Sequence, residues 1–171
     1  MNKKIKENHN CCCSDSCCGG GKTEIKRSAK CPVCKKKGEA VDYETARGIL
    51  KKSIKLDKNK NFFLCINPDC EVSYFTSDDI FYLKDCSIEF DFKKKAKKRY
   101  ACYCNKLTYE EVAKVIKETG NTSWSFVVKK AKGKINPCNC LVKNPFGECC
   151  TSNSFKKAVL ESEARFEGGC K

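Results

Sequence analysis

Residues 100–120 read YACYCNKLTYEEVAKVIKETG, and residues 136–150 read NPCNCLVKNPFGECC. Thr108 and Glu111 have the spacing of a capping box, in which hydroxyl and carboxylate satisfy each other's backbone amides, so a helix opens there. Val112, Val115 and Ile116 fall on one face of it, and Gly120 closes it. A second helix, capped by Thr122, carries Trp124, Val127 and Val128 inward and ends near Gly133. Trp124 reads as core. Asn136-Pro137 and Asn144-Pro145-Phe146-Gly147 are turns. A last helix runs from about Ser154 to Phe166, with Phe155, Val159 and Leu160 inward. The outcome is a small, mainly helical unit over residues 100–171, with thiols at fixed separations on either side of two helices.

Those thiols suit a 2Fe–2S cluster. A rhombic core of two irons and two sulfides needs two thiolates on each iron. Cys102 and Cys104 are two apart, so on an extended segment they emerge on one side and can share an iron. The other two ligands return from beyond the helices. Cys138 and Cys140 compete for one position, and Cys149 and Cys150 for the other; spacing leaves both choices open. The Asn-Pro and Pro-Phe-Gly turns expose amides that can bond to cluster sulfur and raise its potential.

Working upstream, Cys31-Pro-Val-Cys34 followed by three lysines and Gly38 reads as a zinc knuckle, with Gly38 permitting the reversal. Val41 to Glu44 alternates like a strand, and Ala46 to Ile54 reads as a short helix. Asn61 to Leu64 is a strand feeding into Cys65-Ile-Asn-Pro-Asp-Cys70, and Val72 to Phe75 leaves as another. The stretches Ile80–Leu83 and Ile88–Phe92 supply more β-type residues. Two knuckles beside strands, sharing one ion, follow zinc-ribbon or treble-clef logic. Four thiolates close a tetrahedron, so zinc held by Cys31, Cys34, Cys65 and Cys70 is structural. Cys86 reads as a small buried core residue.

The expected fold class is therefore α+β. A disordered, cysteine-rich tail occupies residues 1–30, a zinc-binding β unit residues 31–92, a basic linker (KKKAKKR) residues 93–99, and the cluster unit residues 100–171. Seventeen cysteines suggest a disulfide scaffold at first sight. Their odd number, their tight grouping and the lack of an apolar run after the charged start point instead to reduced thiols in a cytoplasmic protein. No stretch is apolar and long enough for membrane insertion. The formal charge of +14 falls to roughly +10 once two four-thiolate centres each carry −2, so the lysine excess does not require nucleic acid. The 93–99 run reads as a solvated linker rather than a nucleic-acid contact. In the tail, Cys11, Cys12, Cys13, Cys17 and Cys18 are either a soft-metal capture arm, suited to Cu(I), or an exposed thiol-rich segment. His9 reads as a solvated side chain. No histidine is available as a base beside a thiol, the single His9 reading as solvated, and no phosphate-binding glycine loop occurs, so the chain reads as non-enzymatic, apart from weak Cu(II) reduction through the cluster.

Both cysteine sets, in this order, resemble the N-terminal region of CopZ-type copper chaperones that carry zinc and a 2Fe–2S cluster. The matching stretches are CPVC (31–34), CINPDCEVSYF (65–75), YACYCNKLT (100–108), KETG (117–120) and CLVKNPFGECC (140–150). The second unit also resembles the bacterioferritin-associated-ferredoxin type of 2Fe–2S module. Cys138, with 33 residues between it and Cys104, has that module's spacing, whereas Cys140 has 35. The ungapped CopZ-type match through KNPxGxCC instead implies Cys102, Cys104, Cys140 and Cys150 as cluster ligands, with Cys138 and Cys149 in reserve. It implies zinc at Cys31, Cys34, Cys65 and Cys70. Chaperones of this type continue into a heavy-metal-associated βαββαβ domain with a Met-x-Cys-x-x-Cys loop. The single methionine here is Met1, so that copper-handing module is expected to be absent. The resemblance implies a redox-active copper chaperone or accessory, with a metal-transporting ATPase or a heavy-metal-associated-domain protein as partner. The electron donor stays open. The alternatives are an electron-transfer or iron–sulfur storage module and, more remotely, a zinc-ribbon nucleic-acid binder.

Overall fold

The computed structural model describes residues 28–167, with side chains through Ala164. The tail thiols Cys11, Cys12, Cys13, Cys17 and Cys18, and His9, lie outside them. The architecture is mixed α and β with antiparallel sheets. In chain order the elements are β1 (Glu39–Val41), α1 (Tyr43–Ile49), β2 (Phe62–Leu64), β3 (Val72–Phe75), β4 (Ile80–Tyr82), β5 (Tyr100–Cys102), β6 (Leu107–Thr108), α2 (Tyr109–Thr119), α3 (Trp124–Lys132), α4 (Cys140–Lys143) and α5 (Lys156–Glu167).

Strands β1 to β4 form one antiparallel sheet in sequential order. Alternation of side chains divides its aromatic residues between two faces. Phe62, Leu64, Tyr74 and Phe81 pack with Ile49, Leu50 and Phe90 under α1. Phe63, Val72 and Phe75 pack instead with Cys31, Cys65 and Cys70. One thin sheet thus serves a conventional core on one side and a thiol-centred core on the other, which a unit this small needs for stability.

The second unit is a β5–β6 hairpin feeding α2, with α3 and α5 packed around it. Leu107, Val112, Val115, Ile116, Val127, Val128, Phe155 and Ala158 form its core, together with Cys102, Cys104 and Cys150. Helix α2 begins as the sequence indicates: the Thr108 side chain accepts from the Glu111 amide, and the Glu111 carboxylate accepts from the Thr108 amide at 2.9 Å. Gly120 (φ 66°) and Gly133 (φ 75°) end α2 and α3 in the left-handed region.

Several local expectations shift. The Val41–Glu44 strand stops at Val41, because Asp42 takes the N-cap position of α1, which starts at Tyr43 rather than Ala46. The Ile88–Phe92 stretch pairs with no strand; its alternate aromatics Phe90 and Phe92 pack against the core instead. Ser123, not Thr122, precedes α3. The final helix opens with a wide π turn over Thr151–Phe155 before α5.

The basic run is not a solvated linker throughout. Lys93 is 4 % exposed, and its ammonium donates to the carbonyls of Asn67, Cys70 and Val72 at 2.9–3.0 Å. Lys94 pairs with Asp69, Lys95 with Glu71, and Arg99 makes a two-pronged contact with Glu161 at 2.8 and 2.9 Å. The run is a strap that ties the second knuckle to the last helix.

Candidate metal centres

The first quartet is built by two turns. In the first, the Cys31 amide donates to Lys36 O at 2.8 Å, and the Lys35 amide to Cys31 O at 2.9 Å. Lys35 adopts the left-handed conformation (φ 60°), so it makes the reversal that the sequence assigns to Gly38. Gly38 is needed for space: a Cβ there would sit 2.8 Å from the Phe75 ring and 2.9 Å from Leu64 O. In the second turn Cys65 closes β2, and the Cys70 amide donates to Asn67 O at 3.2 Å.

The sulfurs of Cys31, Cys34, Cys65 and Cys70 lie within 4.8 Å of one another, with Cys34 and Cys65 at 3.7 Å. Zinc–sulfur bonds of ~2.3 Å require tetrahedral edges of ~3.8 Å, so the quartet fits that ion after slight contraction. The knuckle also favours thiolate at its outer sulfur. Burial works to raise Cys34, but the Lys36 amide, Asn67 and the neighbouring thiols outweigh it and bring it down to about 6. Cys65 and Cys70 are pushed up, first by burial. The buried Lys93 ammonium faces this sulfur cluster and offsets its negative charge.

The second candidate set is arranged differently. Cys102 ends β5, Cys104 lies in the following turn, Cys140 opens α4, and Cys150 precedes the π turn. Cys102 touches Cys104 and Cys150, and Cys140 touches the same two, so the four form a ring. The Cys104–Cys140 sulfurs are 3.7 Å apart. Among the described residues, only the first quartet gathers three or more metal-ligating atoms within 4.8 Å of one another. The second ring is thus wider than a single-ion site. Cys102, Cys104 and Cys150 are 0 %, 6 % and 2 % exposed, while Cys140 is half-buried.

The ring thiols set one another's charge. The neighbouring thiols Cys104 and then Cys150 hold Cys102 down to about 2 and Cys140 down to about 3. Cys104 and Cys150 are pushed up by their own neighbours, Cys102 and Cys140, and by burial. Two N–H groups also point at sulfur: the Asn139 amide reaches Cys104 at 3.2 Å, and Asn105 Nδ2 reaches Cys102 at 3.6 Å. The donor set therefore fits a thiolate-bound 2Fe–2S core in number, burial and polar surroundings.

Cys138 is exposed on the approach to α4, and Cys149 is half-buried with its sulfur 3.0 Å from Thr151 Oγ1. Neither is one of the four ring thiols. The extended geometry expected for Cys102-Tyr-Cys104 is replaced by a turn with Lys106 left-handed (φ 50°), which brings the Cys104 sulfur to 3.7 Å from that of Cys140. Cys86 is buried, with its thiol donating to Tyr82 O at 3.7 Å. Three supporting residues escaped the sequence reading. Lys93 was submerged in a charge run. Asn105 follows Cys104 directly, a position from which an amide can reach sulfur. Tyr103, between two ring thiols, donates its hydroxyl to Asp91 Oδ1 at 2.7 Å.

Comparison with known proteins places these features in context. Residues 28–87 match the CopZ family model described as a zinc binding domain. The copper chaperone CopZ of Archaeoglobus fulgidus is 26 % identical over 148 residues, covering 81 % of this chain and 71 % of the relative. The X-ray structure of the Archaeoglobus fulgidus CopZ N-terminal domain superposes with a TM-score of 0.58 at 23 % identity, covering 75 % of this chain and 97 % of that one. The last likeness is one of fold.

Proposed function

We propose that this protein serves metal homeostasis as a redox-active chaperone or accessory for copper or another thiophilic ion. It holds zinc between Cys31, Cys34, Cys65 and Cys70, and a 2Fe–2S cluster between Cys102, Cys104, Cys140 and Cys150. The observation that carries the reading is the second thiol ring: four converging sulfurs, mostly buried, wider than a single-ion site, with N–H groups aimed at two of them. The similarity to a protein named copper chaperone CopZ supports copper as the cargo.

When bound, the cluster supplies one-electron chemistry, the change that separates Cu(II) from Cu(I). The chain's residues do the rest. Cys102, Cys104, Cys140 and Cys150 offer four unpaired thiols as ligands. Asn105 and Asn139 stabilise negative charge on sulfur by hydrogen bonding. Burial of Cys102 and Cys150 keeps water from that side of the ring. The zinc quartet has no open position once four thiolates are engaged, so its role is scaffolding. Cys11, Cys12, Cys13, Cys17 and Cys18 supply soft ligands for Cu(I). The recipient is a metal-transporting ATPase or a protein with a heavy-metal-associated domain. A nucleic-acid role loses its main support, because Lys93, Lys94, Lys95 and Arg99 have internal partners.

The decisive experiment is metal analysis with electron paramagnetic resonance on anaerobically purified protein. The expected result is about one zinc and two irons per chain, with a paramagnetic signal on one-electron reduction. Iron-free protein that is folded in its native form would remove the cluster from this reading. Copper titration with and without residues 11–18 then tests the cargo. If Cu(I) does not bind, the protein is an electron-transfer or cluster-storage module.

A further inference from the structure

The chain between Cys140 and Cys150 belongs to the second unit by sequence, yet it lies on the first. Helix α4 packs along α1, where Gly48 leaves room for Val142: a Cβ at Gly48 would collide with Val142 O and sit 2.6 Å from Val142 Cβ. Gly147 (φ 72°) comes down on Thr45, whose Oγ1 would stand 2.5 Å from an added Cβ. The ring of Phe146 packs on Phe92, with centroids 5.1 Å apart. At the centre, the fully buried Tyr74 donates its hydroxyl to Pro145 O at 2.8 Å. Tyr74 sits on β3, which pairs with β2 through Leu64–Tyr74. Strand β2 runs into Cys65, and β3 begins two residues after Cys70. The residue that grips the turn is therefore held by the two strands that carry half of the first quartet.

We infer that the zinc-binding unit is the clamp that positions Cys140 and Cys150, with Tyr74 as its positioning residue, so that metal at the first quartet governs how firmly the second holds its own. The inference rests on the reading of the two quartets as zinc and cluster sites. Without zinc the second knuckle keeps its Cys70–Asn67 turn and the Lys93 bonds but loses its tie to the first, and β2 and β3 lose the metal-fixed ends that present Tyr74. The Pro145 carbonyl then loses a donor in a place water does not reach. Residues 141–149 lift from α1, and the ring opens at the two thiols they tether. Cys102 and Cys104 sit on the β5–β6 hairpin and are not held this way.

The test uses the full chain with two readouts. In the first, iron-free protein is treated with iodoacetamide under native conditions, with zinc present or stripped, and alkylation of each cysteine is followed by mass spectrometry. In the second, release of iron from loaded protein to a ferrous chelator is timed. Tyr74→Phe, which keeps the ring and removes the hydroxyl, should raise Cys150 alkylation and iron release about fivefold, as expected for one buried hydrogen bond. Gly48→Ala, which pushes α4 away, should act in the same direction. Zinc removal should exceed both. Leu56→Ala trims the same core from the loop between α1 and β2, away from the strands that hold Tyr74, and should leave both rates at wild-type values. Unchanged rates in Tyr74→Phe and in zinc-stripped protein would overturn the clamp, as would an equal rise in Leu56→Ala. If the wild-type chain holds no iron, the cluster reading fails on its own, and the alkylation arm still decides the clamp.

Discussion

Lys93 shows what a single side chain does in a thiolate-rich protein. Its ammonium satisfies three carbonyls of the second knuckle and places a positive charge beside four sulfurs. Lys93→Met should cost about 3 kcal/mol, because charge-assisted bonds are lost and buried carbonyls are left unpaired. It should also weaken zinc retention against a competing chelator; both effects are read by denaturation and by a zinc indicator. Asn105 is the counterpart at the second ring. It donates to Cys102 sulfur and accepts the Asn136 amide at 2.8 Å, so it joins the two halves of the ring. Asn105→Leu should lower the reduction potential by roughly 40 mV, the one-electron equivalent of about 1 kcal/mol, in a redox titration. Among the thiols, Cys140→Ser and Cys150→Ser should abolish the visible absorption of the cluster, while Cys138→Ser and Cys149→Ser retain it. The sequence alone narrowed the ligands to these pairs. It left the choice within each open, because neighbouring thiols differ only in which way the backbone turns them.

At the scale of elements, the signals that depend on neighbours along the chain were legible, and those that depend on distant partners were not. The Thr108–Glu111 capping box and the Gly120 and Gly133 stops are local chemistry, and α2 and α3 end where they indicate. The Ile88–Phe92 alternation looks like a strand, but nothing in it says whether a sheet edge lies within reach. Gly38 was assigned a conformational role that Lys35 performs, because close approach of Phe75 is invisible in sequence. The capping box makes a pH prediction. Burial acts to raise the Glu111 carboxyl, but the Lys132 ammonium at 2.6 Å and the Thr108 amide outweigh it and hold it below the usual range. A depressed folded-state value means stability present above the ordinary carboxylate range and lost as pH falls through the lower one. Glu111→Gln should therefore cost roughly 0.5 kcal/mol at neutral pH, allowing for solvent screening, with the difference from wild type vanishing in acid. Urea unfolding at a series of pH values reads it.

For the molecule as a whole, the cysteine spacing indicated two units, but not how they meet. The contact depends on residues with no metal signature: Gly48, Thr45, Tyr74 and Phe92 on one side, Val142, Pro145, Phe146 and Gly147 on the other. With these contacts, and the Lys93–Arg99 strap tied at both ends, the units should unfold together. Calorimetry of the fully loaded protein is expected to show one transition with equal calorimetric and van't Hoff enthalpies, and two resolved transitions would separate the units. The Arg99 guanidinium adds a constraint of another kind. It lies 4.0 Å from the centre of the Tyr109 ring and grips Glu161, sixty-two positions downstream. During synthesis Cys31, Cys34, Cys65 and Cys70 leave the ribosome while α5 has yet to be translated. The first quartet can close on the nascent chain, whereas the second ring waits for Cys140 and Cys150 and the Arg99 clasp waits for Glu161. If both sites fill as proposed, the order in which they can do so is built into the order of the chain.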